Sequence, residues 1–253
     1  MKIGTWNVNG IRKRFTEVIS WIDREEPDVV CLQETKASRE QVPEPLCSIA
    51  GYHSHWHGGT KGYSGVALLL RAKTFGDAPE FVHPPFDLEN RIVVAEVGDL
   101  VFGSVYVPNG GKDFDAKIRF LEAMIGHAGG LAAAGTPAVL CGDLNIAHRD
   151  IDVHPKERKE VIGQLPVERA LFDRLLGAGL ADVGRTLDPA NEELFTWWPP
   201  WRKMRERNIG WRLDYVAASR ALVDEHVHCV AYRDVGTSDH GPVIAHLRDT
   251  PAA

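Results

Sequence analysis

The chain is poor in cysteine and has no long hydrophobic run. Its 253 residues include four cysteines, and no two of them form a C-x-x-C pair. A disulfide framework is therefore disfavoured, and we expect free thiols in a reducing compartment. Cys31 and Cys141 lie in apolar, strand-like runs, which predicts that both are buried. With no signal peptide and no apolar stretch of membrane length, the chain is expected to be cytoplasmic.

Several catalytic signatures are missing as well. The sequence has no H-E-x-x-H or other zinc-ligand spacing, no G-x-S-x-G elbow and no Walker loop. These absences argue against zinc peptidase chemistry, serine-based acyl transfer and P-loop nucleotide chemistry.

Linkers, low-complexity tracts and blocks of like charge are also absent, which predicts one domain spanning residues 1–253. A hydrophobic content of 44% is enough for a large buried core. The formal net charge of -6 argues against non-specific coating of nucleic acid, although a locally basic face remains compatible with it.

What the sequence does contain is centred on residues 139–145. An apolar run there reaches Gly142 and is followed by Asp143 and Asn145. If the run is a buried strand ending at Gly142, these two side chains share one face and can point at one target. Because Gly, Asp and Asn are turn residues, a turn is an equally good interpretation of this segment alone.

The rest of the chain alternates between apolar runs and polar clusters. Strands are predicted at residues 2–8, 28–32, 52–57, 64–70, 91–97, 100–107, 211–217, 226–232 and 242–247. Helices are predicted at residues 11–25, 114–131 and 167–176, and residues 147–164 are predicted to form a long loop. Residues 5–10 resemble residues 105–110, and this weak internal similarity is consistent with two similar halves. The pattern favours an α/β fold with two packed sheets and helices outside them.

Polar side chains recur where these strands end. They are Asn7, Glu34, Tyr106, Asn109, Asp143, Asn145, Asp214, Asp239 and His240. Each alone has an ordinary interpretation as a turn, surface or core residue. Together, so many acids and amides next to buried strands indicate a shared site. Hard oxygen ligands such as Glu34 and Asp239 suit Mg²⁺ or Mn²⁺, and metal-assisted phosphodiester hydrolysis is the chemistry they favour.

Seven short motifs carry a family resemblance. They occupy residues 6–12, 32–36, 62–67, 106–110, 142–147, 210–215 and 238–243. In content and order they resemble the motifs of the exonuclease III family of apurinic/apyrimidinic endonucleases. The wider superfamily also contains phosphatases. The resemblance implies a four-layer α/β sandwich of two mostly antiparallel sheets, with the site at one end of the sheets.

The resemblance also implies residue roles. The metal ligands would come from Asn7, Glu34, Asp143, Asn145, Asp239 and His240. Asp143 would orient or deprotonate the attacking water, with Asn145 fixing its geometry. His240, paired with Asp214, would place positive charge on the phosphate. Tyr106 and Asn109 would contact that phosphate, and Arg91 and Lys117 would lie near the DNA.

The most basic and aromatic stretch follows Thr196. Trp197, Trp198 and Trp201 enclose two prolines, and Arg202, Lys203, Arg205 and Arg207 come next. Core tryptophans beside a solvated loop are the ordinary interpretation; a wedge with phosphate anchors for duplex DNA is the functional one. The resemblance favours the second, places Tyr63 and Lys61 on the DNA surface, and puts an abasic-sugar pocket at Trp197, Trp211 and Leu213.

The expected function is that of a monomeric DNA-repair endonuclease. It would use Mg²⁺, with Mn²⁺ as a substitute, to cut 5′ to abasic sites in double-stranded DNA, leaving a 3′-hydroxyl and a 5′-deoxyribose phosphate. The aromatic run departs from the family in detail, so the share of 3′–5′ exonuclease activity and of cleaning blocked 3′ ends stays open. Two alternatives also stay open: a same-fold phosphatase and a non-catalytic nucleic-acid-binding module.

Overall fold

Two six-stranded sheets form the centre of the molecule. The computed structural model describes residues 1–59, 62–223 and 228–248. Within these residues, one sheet contains β1 (Lys2–Asn7), β2 (Val29–Gln33), β3 (Tyr52–His57), β4 (Val66–Arg71), β11 (His228–Ala231) and β12 (Val243–His246). The other contains β5 (Glu80–Val82), β6 (Ile92–Val97), β7 (Leu100–Tyr106), β8 (Ala138–Asp143), β9 (Leu180–Asp182) and β10 (Asp214–Ser219).

Helices connect and cover these sheets. They are α1 (Ile11–Glu25), α2 (Glu44–Cys47), α3 (Ala72–Phe75), α4 (Phe114–Ala133), α5 (Pro166–Gly177) and α6 (Val183–Leu187). The α1 helix spans the predicted residues, and both α4 and α5 lie where helices were predicted. In α1, Val18, Trp21 and Ile22 are buried on one face, as the helical spacing predicts.

The two sheets share one plan. Their strand orders are β11-β12-β1-β2-β4-β3 and β5-β6-β7-β8-β10-β9. In each sheet a central parallel pair, β1–β2 or β7–β8, is flanked by antiparallel pairs. A single helix, α1 or α4, makes the crossover within each pair, as parallel strands require. The sequence similarity between residues 5–10 and 105–110 thus marks the ends of two equivalent strands, β1 and β7.

Three hydrophobic layers hold this arrangement together. Between the sheets, residues such as Leu68, Phe102 and Val216 are fully buried. Outside the first sheet, α1 and α2 pack on a cluster that contains Trp6. Outside the second, α4 and α5 pack on a cluster that contains Phe172. The layers run helix, sheet, sheet, helix, which confirms the predicted four-layer α/β sandwich.

The segment around Gly142 is a strand and not a turn. The β8 strand continues through Gly142 to Asp143, one residue further than predicted. Gly142 has a φ of 146°, and a Cβ built there would lie 1.9 Å from the carbonyl oxygen of Val105. Only glycine lets β7 and β8 approach this closely, immediately before Asp143.

Other boundaries differ modestly. The predicted strand at residues 211–217 begins at Asp214. The first two residues of the predicted strand 226–232, residues 226 and 227, lie outside the described residues. The predicted loop 147–164 contains two 3₁₀ turns, Asp150–Asp152 and Pro155–Glu157. Cys31 and Cys141 are buried free thiols, as expected. Among the described helices, none is long and apolar enough to cross a membrane.

Candidate active site

Strands from both sheets end at one cavity of about 380 Å³. Its lining residues are Asn9, Glu34, Tyr106, Asn109, Gly111, Asp143, Asn145, Ile162, Gly163, Trp197, Trp211, Leu213, Asp239 and His240. Ten of these were predicted as site residues from the sequence. Polar groups from one sheet therefore face polar groups from the other across a single pocket.

Three of these side chains depend on unusual backbone. Asn9, Glu34 and Asn145 have φ values of 41°, 54° and 52°, in the left-handed region. Such a conformation is tolerated by asparagine and costs more for glutamate. It turns each residue out of its strand direction, so Asn145 reaches Asp143 from the turn after β8 and not from a shared strand face. Strained backbone of this kind is concentrated at functional sites.

Asp143 lies at the bottom of the cavity and is buried. Its Oδ2 accepts hydrogen bonds from Asn7 Nδ2 at 2.8 Å and from Asn145 Nδ2 at 3.2 Å, and its Oδ1 accepts one from the Asn145 amide at 2.9 Å. Burial raises the pKa of Asp143 to about 7, against the opposing effect of the positive charge on His240. A carboxylate that titrates near neutral pH is suited to proton transfer.

His240 is held by a buried carboxylate. Its Nδ1 lies 2.8 Å from Asp214 Oδ2, and its Nε2 lies 3.9 Å from Asp143 Oδ2. Asp214 Oδ2 also accepts a hydrogen bond from the Thr196 hydroxyl at 2.7 Å. Burial alone would lower the pKa of His240, but the charges of Asp214 and Asp143 outweigh it and raise that pKa to about 10. The ring is therefore an imidazolium at neutral pH, with its charge directed into the cavity.

The open side of the cavity carries the remaining acids. Asp239 accepts hydrogen bonds from Asn9 Nδ2 at 2.8 Å and Trp197 Nε1 at 3.1 Å. Burial acts to raise the pKa of Asp239, but the His240 charge and these two hydrogen bonds hold it below its usual range. Glu34 pairs with Lys36 at 2.8 Å, and Lys36 also donates to Asn9 Oδ1 at 2.7 Å. Asn9 and Lys36 together thus link the two carboxylates.

Two groups of residues offer metal ligands. Ligand atoms of Asp143, Asp214 and His240 lie within 4.8 Å of one another. In that group, however, His240 Nδ1 and Asp214 Oδ2 are already bonded to each other, so neither atom is free to bind an ion. Glu34 and Asp239 line the open cavity with oxygen donors only, which is the donor set of a hard divalent cation. The second group fits a metal better.

Asn7, predicted as a metal ligand, lies behind the cavity. It is fully buried, its Nδ2 donates to Asp143 and its Oδ1 accepts from the Asn9 amide at 3.0 Å. Asn7 therefore connects Asp143 to Asn9, on the side of the site that carries Glu34 and Asp239. Asn9 lines the cavity there, and Asn7 does not.

Arg91 differs from its predicted place next to DNA. Its side chain is 3% exposed, with the guanidinium carbon 4.7 Å from the Tyr106 ring centre and 5.2 Å from that of Tyr63. Its Nη2 donates to the Tyr63 hydroxyl at 3.0 Å. Arg91 therefore supports two aromatic rings from behind, and it is Tyr63, 48% exposed, that reaches the surface.

Lys117 also differs from its predicted place. It is fully buried, ion-paired with Glu168, and donates to the backbone oxygen of Asn145 at 2.8 Å and of Asn109 at 3.4 Å. Glu168 accepts from the Gly163 amide at 2.7 Å. Since Asn145, Asn109 and Gly163 all line the cavity, this pair fixes three parts of its wall and does not itself contact DNA.

Trp197, Trp211 and Leu213, which were predicted to form an apolar slot, lie together on one side of the cavity. Trp197 and Trp211 meet edge to face with ring centres 5.4 Å apart, and both line the cavity together with Leu213. Gly163, with a φ of 90°, packs beneath Trp211, where a Cβ would lie 3.0 Å from the ring. An apolar wall therefore stands directly beside Asp239 and His240.

The basic stretch after Trp201 divides into two kinds of residue. Trp201 is 56% exposed, and Arg202, Lys203 and Arg207 are exposed. Arg205 is not a free anchor: it donates to backbone oxygens of Arg233, Val235 and Ser238. It also lies 5.0 Å from the ring centre of the buried Trp198. Trp198 and Arg205 belong to the loop's own packing. The predicted DNA contact Lys61 lies outside the described residues.

A second cavity of about 510 Å³ adjoins the first and shares Asn9 and Asp239 with it. Trp201 and Lys203 line this cavity, with Arg14 from α1. Trp201 and Lys203, from the exposed part of the basic stretch, thus lie on a depression that adjoins the candidate active site.

Sequence analysis missed several functional positions. Asn9 and Thr196 were not singled out, although each holds an acid of the site in place. The spacing of Asn7 and Asn9, two apart at a strand end, was a usable signal for Asn9. Nothing in the sequence pointed to Glu168, which lies in a loop-to-helix segment far from the motifs.

Comparisons with known proteins extend over nearly the whole chain. Residues 4–240 match the model of the Endonuclease/Exonuclease/phosphatase family. The DNA repair nuclease APEX1 of Danio rerio is 35% identical over 255 residues, covering 98% of this chain and 82% of that protein. The structure of the 3′ phosphatase NExo from Neisseria, bound to a product DNA hairpin, matches with a TM-score of 0.84 and 31% identity over 98% of this chain and 99% of that one. An AP endonuclease from Archaeoglobus fulgidus matches with a TM-score of 0.83 and 28% identity over the same shares of both chains.

Proposed function

Because the chain belongs to the endonuclease/exonuclease/phosphatase family, we propose that it is a DNA-repair endonuclease that hydrolyses the phosphodiester 5′ to abasic sites in duplex DNA. The products would be a 3′-hydroxyl and a 5′-deoxyribose phosphate. The observation that carries this proposal is the apolar slot of Trp197, Trp211 and Leu213 beside the charged groups of one cavity. A phosphatase for small phosphoesters has no need of such a slot.

In this proposal, one group of residues contacts the phosphate oxygens and another activates the attacking water. His240, held protonated by Asp214, places positive charge on a phosphate oxygen, and Tyr106 and Asn109 donate to others. Asp143 orients the attacking water and takes its proton, with Asn145 fixing the carboxylate. Preorganised charge of this kind lowers the barrier because no reorganisation is needed when charge develops.

Mg²⁺ is the proposed metal, with Mn²⁺ as a substitute, and Glu34 and Asp239 would hold it. When bound, the ion would neutralise charge on the phosphate and the leaving oxygen. The oxygen-only donor set and the ionised state of Asp239 support a hard cation over zinc.

The slot would select the substrate. A deoxyribose without its base could enter between Trp197, Trp211 and Leu213, whereas a nucleotide carrying a base would collide with these walls. Flipping out an abasic nucleotide also costs less, since no base pair or stack is broken at that position.

The relatives differ in what their names describe, from DNA repair nuclease to 3′ phosphatase, so the experiment must separate these activities. Three labelled duplexes would be compared: one with a single abasic analogue, one with a 3′-phosphate at a nick, and one intact. Each would be incubated with Mg²⁺ and with excess chelator. We expect rapid Mg²⁺-dependent incision of the first duplex. Faster removal of the 3′-phosphate would make end cleaning the main activity, and binding without cleavage would leave a non-catalytic module.

We further propose that the enzyme acts as a monomer.

A further inference from the structure

A cluster of histidines lies at one open edge of the sandwich, away from the cavity. On β3, His53, His55 and His57 alternate with Ser54 and Trp56, so the three imidazoles share one face of the strand. Trp56 is buried on the helix side, which places the histidines on the side that faces the other sheet. The β3 strand is the last strand of its sheet, and β5 is the last strand of the other.

The two sheet edges meet through a pair of ring nitrogens. His83 follows β5, and its Nε2 lies 2.9 Å from Nε2 of His55. We propose that His55 and His83 form a binding site for a borderline divalent transition-metal ion, with Zn²⁺ as the chemical type, which joins the edges of the two sheets. Water molecules would complete the coordination.

The geometry of the pair is close to that of a metal site. A tetrahedral ion about 2.0–2.1 Å from each nitrogen would place the two nitrogens roughly 3.3 Å apart. The observed separation must therefore widen by only a few tenths of an ångström. Two neutral rings at this distance form a hydrogen bond only if one of them carries its proton on Nε2. Binding therefore requires that ring to shift to the Nδ1–H tautomer.

Stacking already fixes both rings. His55 stacks on Phe81 with ring centres 5.0 Å apart, and His83 stacks on His57 at 3.7 Å. His57 in turn is held by Asp87, whose Oδ2 lies 2.7 Å from its Nε2. Supporting contacts that fix ligand orientation raise metal affinity. His83 is exposed, which gives an ion a path into the site.

The rings are also in the right protonation state. Burial lowers the pKa of His55 to about 4, and the neighbouring His83 and His57 lower it further in the same direction. Burial and His57 likewise lower the pKa of His83. Both imidazoles are neutral at pH 7, so no positive charge opposes the ion.

The choice of ion follows from the ligands. Imidazole nitrogen suits zinc, copper and nickel, whereas Mg²⁺ prefers oxygen. His55 and His83 are absent from the lining of the candidate active site, so the two sites are distinct and would select different ions.

The test is a Zn²⁺ titration of the full chain in competition with a chromophoric chelator, with excess Mg²⁺ present to fill the oxygen-lined cavity. Wild type should bind Zn²⁺ about 10 to 100 times more tightly than His55→Gln or His83→Gln, since even supporting contacts of metal ligands are worth that much. The matched control is His53→Gln. His53 shares the strand face, but its Nε2 lies 2.8 Å from the Gly76 carbonyl oxygen, so its loss should leave affinity unchanged.

A second measurement uses the position of the site between the sheets. Zn²⁺ should raise the thermal midpoint of wild type and of His53→Gln and leave that of His83→Gln unchanged, because the ion binds only the folded pair. Because His83 is exposed, we expect His83→Gln to fold, so the test can be made with this variant even if His55→Gln does not fold. Equal Zn²⁺ affinity in wild type and His83→Gln, or equal losses in all three variants, would overturn the proposal. Mg²⁺-dependent cleavage without Zn²⁺ should be the same in wild type and His83→Gln.

Discussion

At the scale of single residues, the environment of Asp143 decides the proposed chemistry. Replacing it by asparagine keeps the shape but removes the base, so we predict that cleavage of an abasic duplex by Asp143→Asn falls by about two to four orders of magnitude. DNA binding should persist, because the substitution removes a negative charge from the site. Single-turnover cleavage and a binding titration would measure the two effects separately.

The control for that prediction is Asp77→Asn, an exposed carboxylate outside the site, which should cleave at the wild-type rate. Thermal midpoints of both variants would be measured in parallel. If Asp143→Asn loses rate only in proportion to a loss of folded protein, Asp143 is structural.

The charge on His240 gives a second prediction at this scale. Its pKa is raised to about 10, above the ordinary value of 6.5, so the ring should stay protonated across neutral pH. Because the pKa is raised, the His240–Asp214 pair stabilises the fold fully below pH 6.5, and this stabilisation is lost as pH rises through 10. In Asp214→Asn the pKa should move down towards the ordinary value. Imidazole nitrogen chemical shifts in a metal-free NMR titration would measure both, and a wild-type ring that titrates near pH 6.5 would contradict the assignment.

The sequence indicates which residue types belong to the site far better than it indicates which of them are exposed. Asp143 follows an apolar run, Asp239 and His240 precede one, and all three line the cavity. Arg91, Lys117 and Arg205 carry the charges expected of DNA contacts, yet each is engaged within the protein. Charge is visible in a sequence, whereas the partner that neutralises or buries it comes from a distant segment.

At the scale of elements, α4 and α5 are joined by a buried charge pair. Lys117→Met would leave Glu168 buried and uncompensated, which should cost about 3–5 kcal/mol of folding free energy. The double variant Lys117→Met/Glu168→Gln should recover part of that loss, because no unpaired charge remains. Its cleavage rate should stay below wild type, since the backbone oxygen of Asn145 loses its Lys117 donor. Chemical denaturation and cleavage assays would measure both quantities.

A matched control exists on the same two helices. Arg174 on α5 and Glu122 on α4 form a 3.6 Å ion pair with both side chains more than half exposed. Exposed pairs contribute little, so Arg174→Met should change stability by less than about 1 kcal/mol. Equal losses in Lys117→Met and Arg174→Met would mean that the buried pair has no special role.

The apolar slot gives the next prediction at this scale. Trp211→Ala should widen the slot and admit a nucleotide that carries a base, so the ratio of abasic to intact cleavage should fall more than the rate on abasic DNA does. Trp211 is the better choice than Trp197, whose indole N–H also bonds to Asp239. Trp56→Ala, which removes a buried tryptophan remote from the slot, controls for general loosening. An unchanged ratio in Trp211→Ala would place substrate selection elsewhere.

Elements with a strong period could be predicted to within one or two residues, as α1 and the β6–β7 hairpin illustrate. Residues 211–213 could not, because they alternate like a strand, yet Trp211 forms only isolated bridges, with Val153 and Trp197. The left-handed backbone conformation of Glu34 could not be predicted from the sequence either, since glutamate has no preference for that conformation. Tertiary contacts impose that conformation.

At the scale of the whole molecule, a net charge of -6 has to be reconciled with binding a polyanion. Lys203 lines the depression that adjoins the site, and Arg202 and Arg207 are exposed in the same basic stretch. Their triple replacement by glutamine should weaken DNA binding and flatten its salt dependence, by up to about one slope unit for each phosphate that is no longer neutralised. Arg205 is left unchanged, because its hydrogen bonds hold the loop.

The comparison variant would be Arg119→Gln/Arg174→Gln, which removes two exposed charges from α4 and α5. It should keep the wild-type salt slope. Parallel slopes for wild type and the triple variant would remove the basic stretch from the DNA surface.

The pairing of the first strand with the last has a consequence for synthesis of the protein. The β1 strand hydrogen-bonds to β12, Asn9 holds Asp239, and the Trp6 indole donates to the backbone of His240. One edge of the first strand must therefore wait for residues that are translated more than 200 positions later. At roughly 5–20 residues per second, His240 is added about 10 to 50 s after Trp6. Throughout that interval the site is incomplete, and the edge of β1 that pairs with β12 stays unpaired while its other edge can already pair with β2.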